Sequence, residues 1–172
     1  MEVDLFVPCF IDQLYPQTAF NVVKILEKAG LKVHYNPNQT CCGQASYNSG
    51  FWSETRDVAT KFLHDFSSGR PVISPSASCT GFVRNYYPDL FKGSKHENEC
   101  KDLHNRFFEF TDFLVNHLNF TDFGATFEAK VTCHDACAAL REYGIKEEPR
   151  KLLSNVKGLE LVEMPEIGRA HV

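Results

Sequence analysis

The stretch KVHYNPNQTCCG, residues 32–43, decides how this chain is read. It opens as a short alternating run, Lys32–Tyr35, of the kind that forms a strand. It ends on two adjacent cysteines and a glycine. Adjacent cysteines do not readily bond to each other, because the ring they would close is strained. Both can point at one metal centre. Two other runs lead to cysteine in the same way: Val3–Val7 ends at Pro8-Cys9, and Pro71–Ser74 leads to Cys79. Each cysteine group thus follows the carboxyl end of an expected strand. In an open parallel α/β sheet those ends share one edge, and ligands bind there. Cys9, Cys41, Cys42 and Cys79, far apart in sequence, are therefore expected in one crevice.

Working outward, the first half alternates strand and helix, which implies a parallel sheet with right-handed crossovers and helices on both faces. Ala19, Val22, Val23, Leu26 and Ala29 form one helical stripe that stops at Gly30, and Trp52, Ala59, Phe62, Leu63 and Phe66 form a second. Lys92–Asp102 is polar and reads as a surface loop or boundary. A long helix is expected next, with Leu103, Phe107, Phe110, Leu114 and Leu118 on its buried face. Lys130–His134 reads as a fourth strand, leading to Cys137, and Leu159–Met164 as a fifth. A strand of that last kind should continue into a loop and helix, yet seven residues without helical period, Glu166–Val172, end the sequence. The reading is a first domain over 1–120, the incomplete start of a second over 121–166, and a foreign tail over 167–172. Val131, Leu159, Leu161 and Val162 are then expected to need cover from the first domain or from another copy, which makes the chain a candidate homo-oligomer.

Bulk properties exclude several classes. The chain has 172 residues, a formal charge of −4, 43% hydrophobic and 23% charged residues, which is ordinary for a soluble globular protein. The acidic balance argues against nucleic-acid binding. No apolar run approaches the ~20 residues that span a bilayer. The opening MEVDLFVPCF lacks the basic region and cleavage site of a signal peptide. A cytoplasmic location is expected. Seven cysteines there point to metal or redox chemistry rather than a disulfide scaffold, and seven cannot all pair.

Thiolates are soft ligands that select zinc, copper(I) or iron–sulfur clusters. Structural zinc sites usually show knuckles with two to four residues between paired ligands. The adjacent pair and distant partners here suit a larger object held by several loops, such as an iron–sulfur cluster. Helix N-termini at the same edge would offset the thiolate charge. Gly43 permits close approach or positive φ beside Cys42. Ser76 and Ser78 are candidate caps for the following helix.

The stretches Asp4–Cys9, Thr40–Gln44 and Ser74–Gly81 resemble the cysteine-rich CCG domain of iron–sulfur oxidoreductases. Tyr87–Phe91, Cys133–Cys137, Leu140-Arg141 and Gly144-Ile145 bring the likeness nearest to the members that serve lactate utilization, over residues 1 to about 165. The resemblance implies a Rossmann-like fold, two such domains in tandem, and electron transfer among the subunits of an L-lactate-oxidising complex. It also implies a cluster held by Cys9, Cys41, Cys42 and Cys79, and a second ligand set beginning at Cys137. The family motif closes on a C-x-x-C pair, but here the earlier position is Ser76. The remaining four thiolates match a [4Fe–4S] cluster by number, a group that air-handled protein can lose. The second motif's own CCG is absent after Pro165.

Other readings stand beside this one. A zinc–thiolate site could simply hold partner subunits together. A thiol–disulfide enzyme would want a C-x-x-C pair where Ser76–Cys79 offers S-x-x-C. Cys133 lies in an expected strand and reads as structural, and Cys100 as an exposed bystander in a charged loop. His34 reads as a half-buried strand residue. His64, His96, His104 and His117 read as surface, and His134-Asp135 as a hydrogen-bonded turn or a pair that orients a ligand. No residue set suited to taking a hydride from lactate is evident, so substrate chemistry is assigned to a partner, no catalytic residue is named, and the chain is read as an iron–sulfur subunit that is not catalytic alone.

Overall fold

A computed structural model describes residues 1–164; the expected foreign tail, 167–172, lies outside them. Strands β1 (Glu2–Leu5), β2 (Lys32–Tyr35), β3 (Val72–Ser74) and β4 (Phe107–Glu109) form one sheet in the order β2-β1-β3-β4, parallel throughout. Val3 pairs with Val33, Leu5 with both Tyr35 and Ile73, and Val72 with Phe107. Helices make every crossover: α1 (Cys9–Leu14) and α2 (Pro16–Lys28), then α3 (Gln44–Asn48) and α4 (Trp52–Asp65), then α5 (Ala77–Phe91) and α6 (Glu97–Arg106). Because β2 and β3 flank β1 on opposite sides, the winding reverses between β1 and β3. That reversal opens a crevice beyond the carboxyl ends of the strands.

Strand alternation feeds two cores, one on each face. Val3, Leu5 and Ile73 pack with Val22, Leu26, Leu114 and Leu152. Phe6, Val72 and Phe107 pack with Ala59, Phe62, Phe66, Phe82, Tyr87 and Leu103. The sequence-derived stripes of α2 and α4 supply these contacts, although Trp52 at the start of α4 is 61% exposed. The α/β class, with a parallel sheet and helices on both faces, is thus as the sequence implies. No helix among the described residues is long and apolar enough to cross a membrane.

Two readings need correction. Lys92–Asp102 is not a loop or boundary throughout: α6 begins at Glu97 and is built from charged pairs one turn apart, Glu97–Lys101 at 2.7 Å and Asp102–Arg106 at 2.7 Å. Only Cys100 and Leu103 are buried in it, too few to reveal a helical period. Cys100 is consequently not exposed, and burial pushes its thiol up to about 11. The long helix expected after Leu103 is also broken. Phe107–Glu109 forms β4 and closes the main sheet, and helix resumes as α7 (Phe110–Asp112) running into a π-helical turn, Phe113–His117. Three consecutive residues rich in β-preferring phenylalanine win here because β3 offers them a buried partner strand.

The remainder forms a separate two-stranded parallel sheet, β5 (Thr126–Val131) and β6 (Lys157–Leu161), joined by a π-helical turn (Ala138–Tyr143) and α8 (Glu147–Leu153). Both strands start earlier than the alternation implied, so Cys133 falls after β5 rather than within a strand. Leu152 of α8 is buried in the first core, and Tyr143 donates to Asp112 Oδ2 at 2.7 Å. Val131, Leu159 and Leu161 are half-buried, while Val162 is exposed.

Glu109 ends β4 with its carboxylate buried, accepting from the Thr111 amide at 2.6 Å and the Asp112 amide at 3.2 Å. Burial raises its pKa despite these hydrogen bonds. The folded state therefore holds the proton more tightly than the unfolded chain. That contribution is complete below the unfolded carboxyl pKa, about 4.3, and is lost as pH rises through the elevated folded value. Glu109→Gln keeps an oxygen acceptor without the charge. Its Tm relative to the wild type is expected to increase across that window and then level off. A Tm difference that ignores pH would contradict this.

Candidate metal centre

Three loops leave the carboxyl ends of β1, β2 and β3, and each delivers cysteine to the crevice. Cys9 is the first residue of α1, directly after Pro8. Cys41 and Cys42 precede α3, with Gly43 at its N-cap. Cys79 lies in the first turn of α5. All four line one cavity of ≈ 220 Å³, together with Phe10, Ile11, Gln44, Ser76 and Ser78 among others. Cys9 is exposed, Cys41 half-buried, Cys42 2% and Cys79 9% exposed. The Cys9 and Cys41 sulfurs lie 3.6 Å apart.

Gln39 and Ser46, which the sequence did not mark, join Gly43 and Ser76 in holding these loops. Gln39 Oε1 accepts from the Val7 amide at 2.8 Å, and Gln39 Nε2 donates to the Asn36 carbonyl at 3.1 Å. One side chain thereby laces the ends of β1 and β2 and sets where Cys41 emerges. Gly43 has φ +89°, and a Cβ there would also lie 3.3 Å from Thr55 Cγ2, so the turn from Cys42 into α3 favours glycine twice over. Ser46 Oγ donates to the Gly43 carbonyl at 3.0 Å. Ser76 Oγ accepts from the Cys79 amide at 3.4 Å, which confirms its capping role.

Tyr87 is wholly buried, and its hydroxyl donates to the Cys42 carbonyl at 2.7 Å. A tyrosine wholly buried among phenylalanines signals such a bond, since a buried hydroxyl needs a partner. Tyr87→Phe leaves that carbonyl unpartnered, at an expected cost of about 1–3 kcal/mol. Denaturant unfolding should show the loss, and Cys42 should alkylate faster in the native variant. Unchanged Cys42 reactivity would show that the turn is held by other contacts.

The thiols share protons unequally. Cys42 is pushed up because it donates to Cys41 and to Cys79, with burial adding to the effect. Cys41 falls to about 5, chiefly through the Cys42 hydrogen bond, aided by the Gly43 amide, which reaches Cys41 Sγ at 3.4 Å. Cys79 is lowered, first by Cys42. Cys9 is raised by burial and by Cys41. The site thus favours ionisation of Cys41 and Cys79 over Cys9 and Cys42, and the positive end of the 15-residue α5, which carries Cys79 in its first turn, acts in the same direction.

The other candidates lie elsewhere. Cys137 is exposed at the start of the π-helical turn and does not line the cavity. Cys133 is half-buried. Asp135 pairs with Arg150 at 2.7 Å, and His34 with Glu2 at 2.7 Å. Among the described residues, no group of three or more His, Cys, Asp or Glu is arranged around a single metal ion.

The chain matches the CCG family, described as a cysteine-rich domain, over residues 3–84 and 131–171. It is 40% identical over 166 residues to lactate utilization protein A of Oceanobacillus iheyensis, covering 96% of this chain and 68% of that protein. It is 42% identical over 167 residues to lactate utilization protein A 1 of Bacillus mycoides, with 96% and 68% covered. Against lactate utilization protein A 2 of Bacillus cereus the figures are 39% over 166 residues, with 96% and 69% covered. No solved structure matches. With cysteines that follow successive parallel strands onto one cavity, and with these relatives along nearly its whole length, the chain belongs to the CCG cysteine-rich domain family.

Proposed function

We infer that this chain is an iron–sulfur electron-transfer subunit of an oxidoreductase complex serving lactate utilization, in which L-lactate is oxidised to pyruvate. The convergence of Cys9, Cys41, Cys42 and Cys79 on one cavity carries the reading. The names of these three relatives, each a lactate utilization protein A, point to the substrate. The donor set fits a [4Fe–4S] cluster: four soft thiolates from three loops, with helix N-termini opposing their charge. When bound, that group supplies one-electron transfer at a potential set by ligands, hydrogen bonds and burial.

The chain's own residues do the rest. Gln39 and Tyr87 fix the Cys41-Cys42 turn, the Gly43 amide steadies the charge on Cys41, and the core beneath Cys42 and Cys79 keeps water from two of the four sulfurs. Apart from the four thiols, the cavity lining holds no carboxylate, histidine, lysine or arginine, so a partner subunit is assigned the hydride and proton chemistry of lactate. A reducing compartment such as the cytoplasm keeps the thiols available. Residues 121–166 begin a second unit of the same kind, with Cys137 as its first ligand. The match over 131–171 supports that assignment.

Oxygen-free purification followed by iron and acid-labile sulfide analysis tests the reading. About four of each per chain are expected, with a visible charge-transfer spectrum. Zinc without sulfide would establish the structural alternative instead.

A further inference from the structure

The geometry of the cysteine cavity bears on a second chemistry. We propose that, without its cluster, the site is a redox-active dithiol. In this reading Cys9 and Cys41 are oxidised to a reversible disulfide by low-molecular-weight disulfides, and Cys42 and Cys79 are spared. This rests on the metal reading only for its consequence, not for its chemistry.

Cys9 Sγ and Cys41 Sγ are already 3.6 Å apart, while a disulfide needs about 2.0 Å. The remaining closure lies within side-chain rotation. Cys9 belongs to the start of α1 and Cys41 to the loop after β2, so their bond would close no strained small ring. The alternative pairs are handicapped. Cys41 and Cys42 are adjacent, and Cys42 and Cys79 are both buried. Access then decides the order of events, because exchange needs a thiolate to reach a disulfide sulfur in line. Cys9 is the exposed member and meets the reagent first.

The small disulfide is the electron acceptor, and with it the step balances. The Cys9 thiolate attacks one sulfur of R–S–S–R, forms a mixed disulfide and releases one R–S⁻. The Cys41 thiolate then attacks Cys9 Sγ, closes the Cys9–Cys41 bond and releases the second. The two thiol protons end on the two released R–SH. Two cysteines are oxidised and the small disulfide is reduced. The product withholds two of four ligands from iron and shields both from oxidation to sulfinic acid, which thiols do not reverse.

The test uses the full chain, stripped of metal and incubated with oxidised glutathione. The thiols of Cys9 and Cys41 should both disappear from the titration in denaturant, counted apart from any glutathione held on the exposed Cys137. A single peptide pair, Cys9 with Cys41, should be linked, with Cys42 and Cys79 still open to alkylation. Dithiothreitol should restore all seven thiols. Cys41→Ser should stop at the first stage, with glutathione trapped on Cys9. Linkage through Cys42 or Cys79 in the wild type, or a lasting glutathione adduct on Cys9, would overturn the proposal. Iron and sulfide uptake before and after dithiothreitol separates the two readings. A chain that forms the bond yet never loads metal upholds the dithiol and sinks the cluster. One that loads metal but forms no bond does the reverse.

Discussion

Cys42→Ser is expected to give a folded chain that cannot keep a cluster. Iron and sulfide should fall from about four of each to below about one. The prediction follows from position. Cys42 is the most buried of the cavity's thiols, and it lines that cavity with Cys41 and Cys79. Serine fits the same space and can make similar hydrogen bonds, so the metal-free variant should unfold within about 1 kcal/mol of the wild type. It lacks the soft sulfur that iron selects. Cys100→Ser is the contrast. Cys100 is equally buried but sits in α6, away from the cavity, and its replacement should leave iron and sulfide unchanged. Cys137→Ser should behave like Cys100→Ser in metal content, because Cys137 is exposed and absent from the lining. A Cys42→Ser chain with a full complement of iron would remove this thiol from the ligand set and reopen the role of Ser76 beside it.

The crevice was legible because it depends on strong local signals. Three short apolar runs each ended near cysteine, and parallel pairing brings such ends together whatever lies between. What the sequence hid has identifiable causes. Leu103, Phe107 and Leu114 are all buried at helical spacing, yet they belong to α6, β4 and a π-helical turn. A period of that length cannot separate one long helix from helix–strand–helix when the strand has only three residues. Helix α6 escaped because its stability rests on charged pairs rather than an apolar stripe. Gln39 and Tyr87 escaped because each acts through one hydrogen bond to a distant backbone atom, which no periodicity records.

The largest loss of stability is expected from Phe62→Ala. Phe62 is fully buried in α4, with ring centroids 4.8 Å from Phe6, 4.8 Å from Phe66, 5.8 Å from Phe107 and 5.8 Å from Tyr87. Phe66 caps the end of the same helix, but Phe6 follows β1, Phe107 lies in β4 and Tyr87 in α5, so no single movement can refill the space. Removing such a ring costs about 3–5 kcal/mol, against a total stability of about 5–15 kcal/mol. For a chain of this size the Tm should drop by roughly 6–20 °C. Trp52→Ala, on the same helix but 61% exposed, should cost no more than about 1 kcal/mol. The site should feel the first change and not the second. Phe62 meets the Tyr87 ring edge-on, and the Tyr87 hydroxyl holds the Cys42 carbonyl, so relaxation into the cavity lets the cysteine turn loosen. Native-state alkylation of Cys42 should therefore quicken in Phe62→Ala, even where the chain is still almost entirely folded. Equal losses in the two variants would mean that α4 is held by its exposed face. Faster alkylation only in step with global unfolding would mean that the core supports the site through overall stability alone, with no specific path through Tyr87.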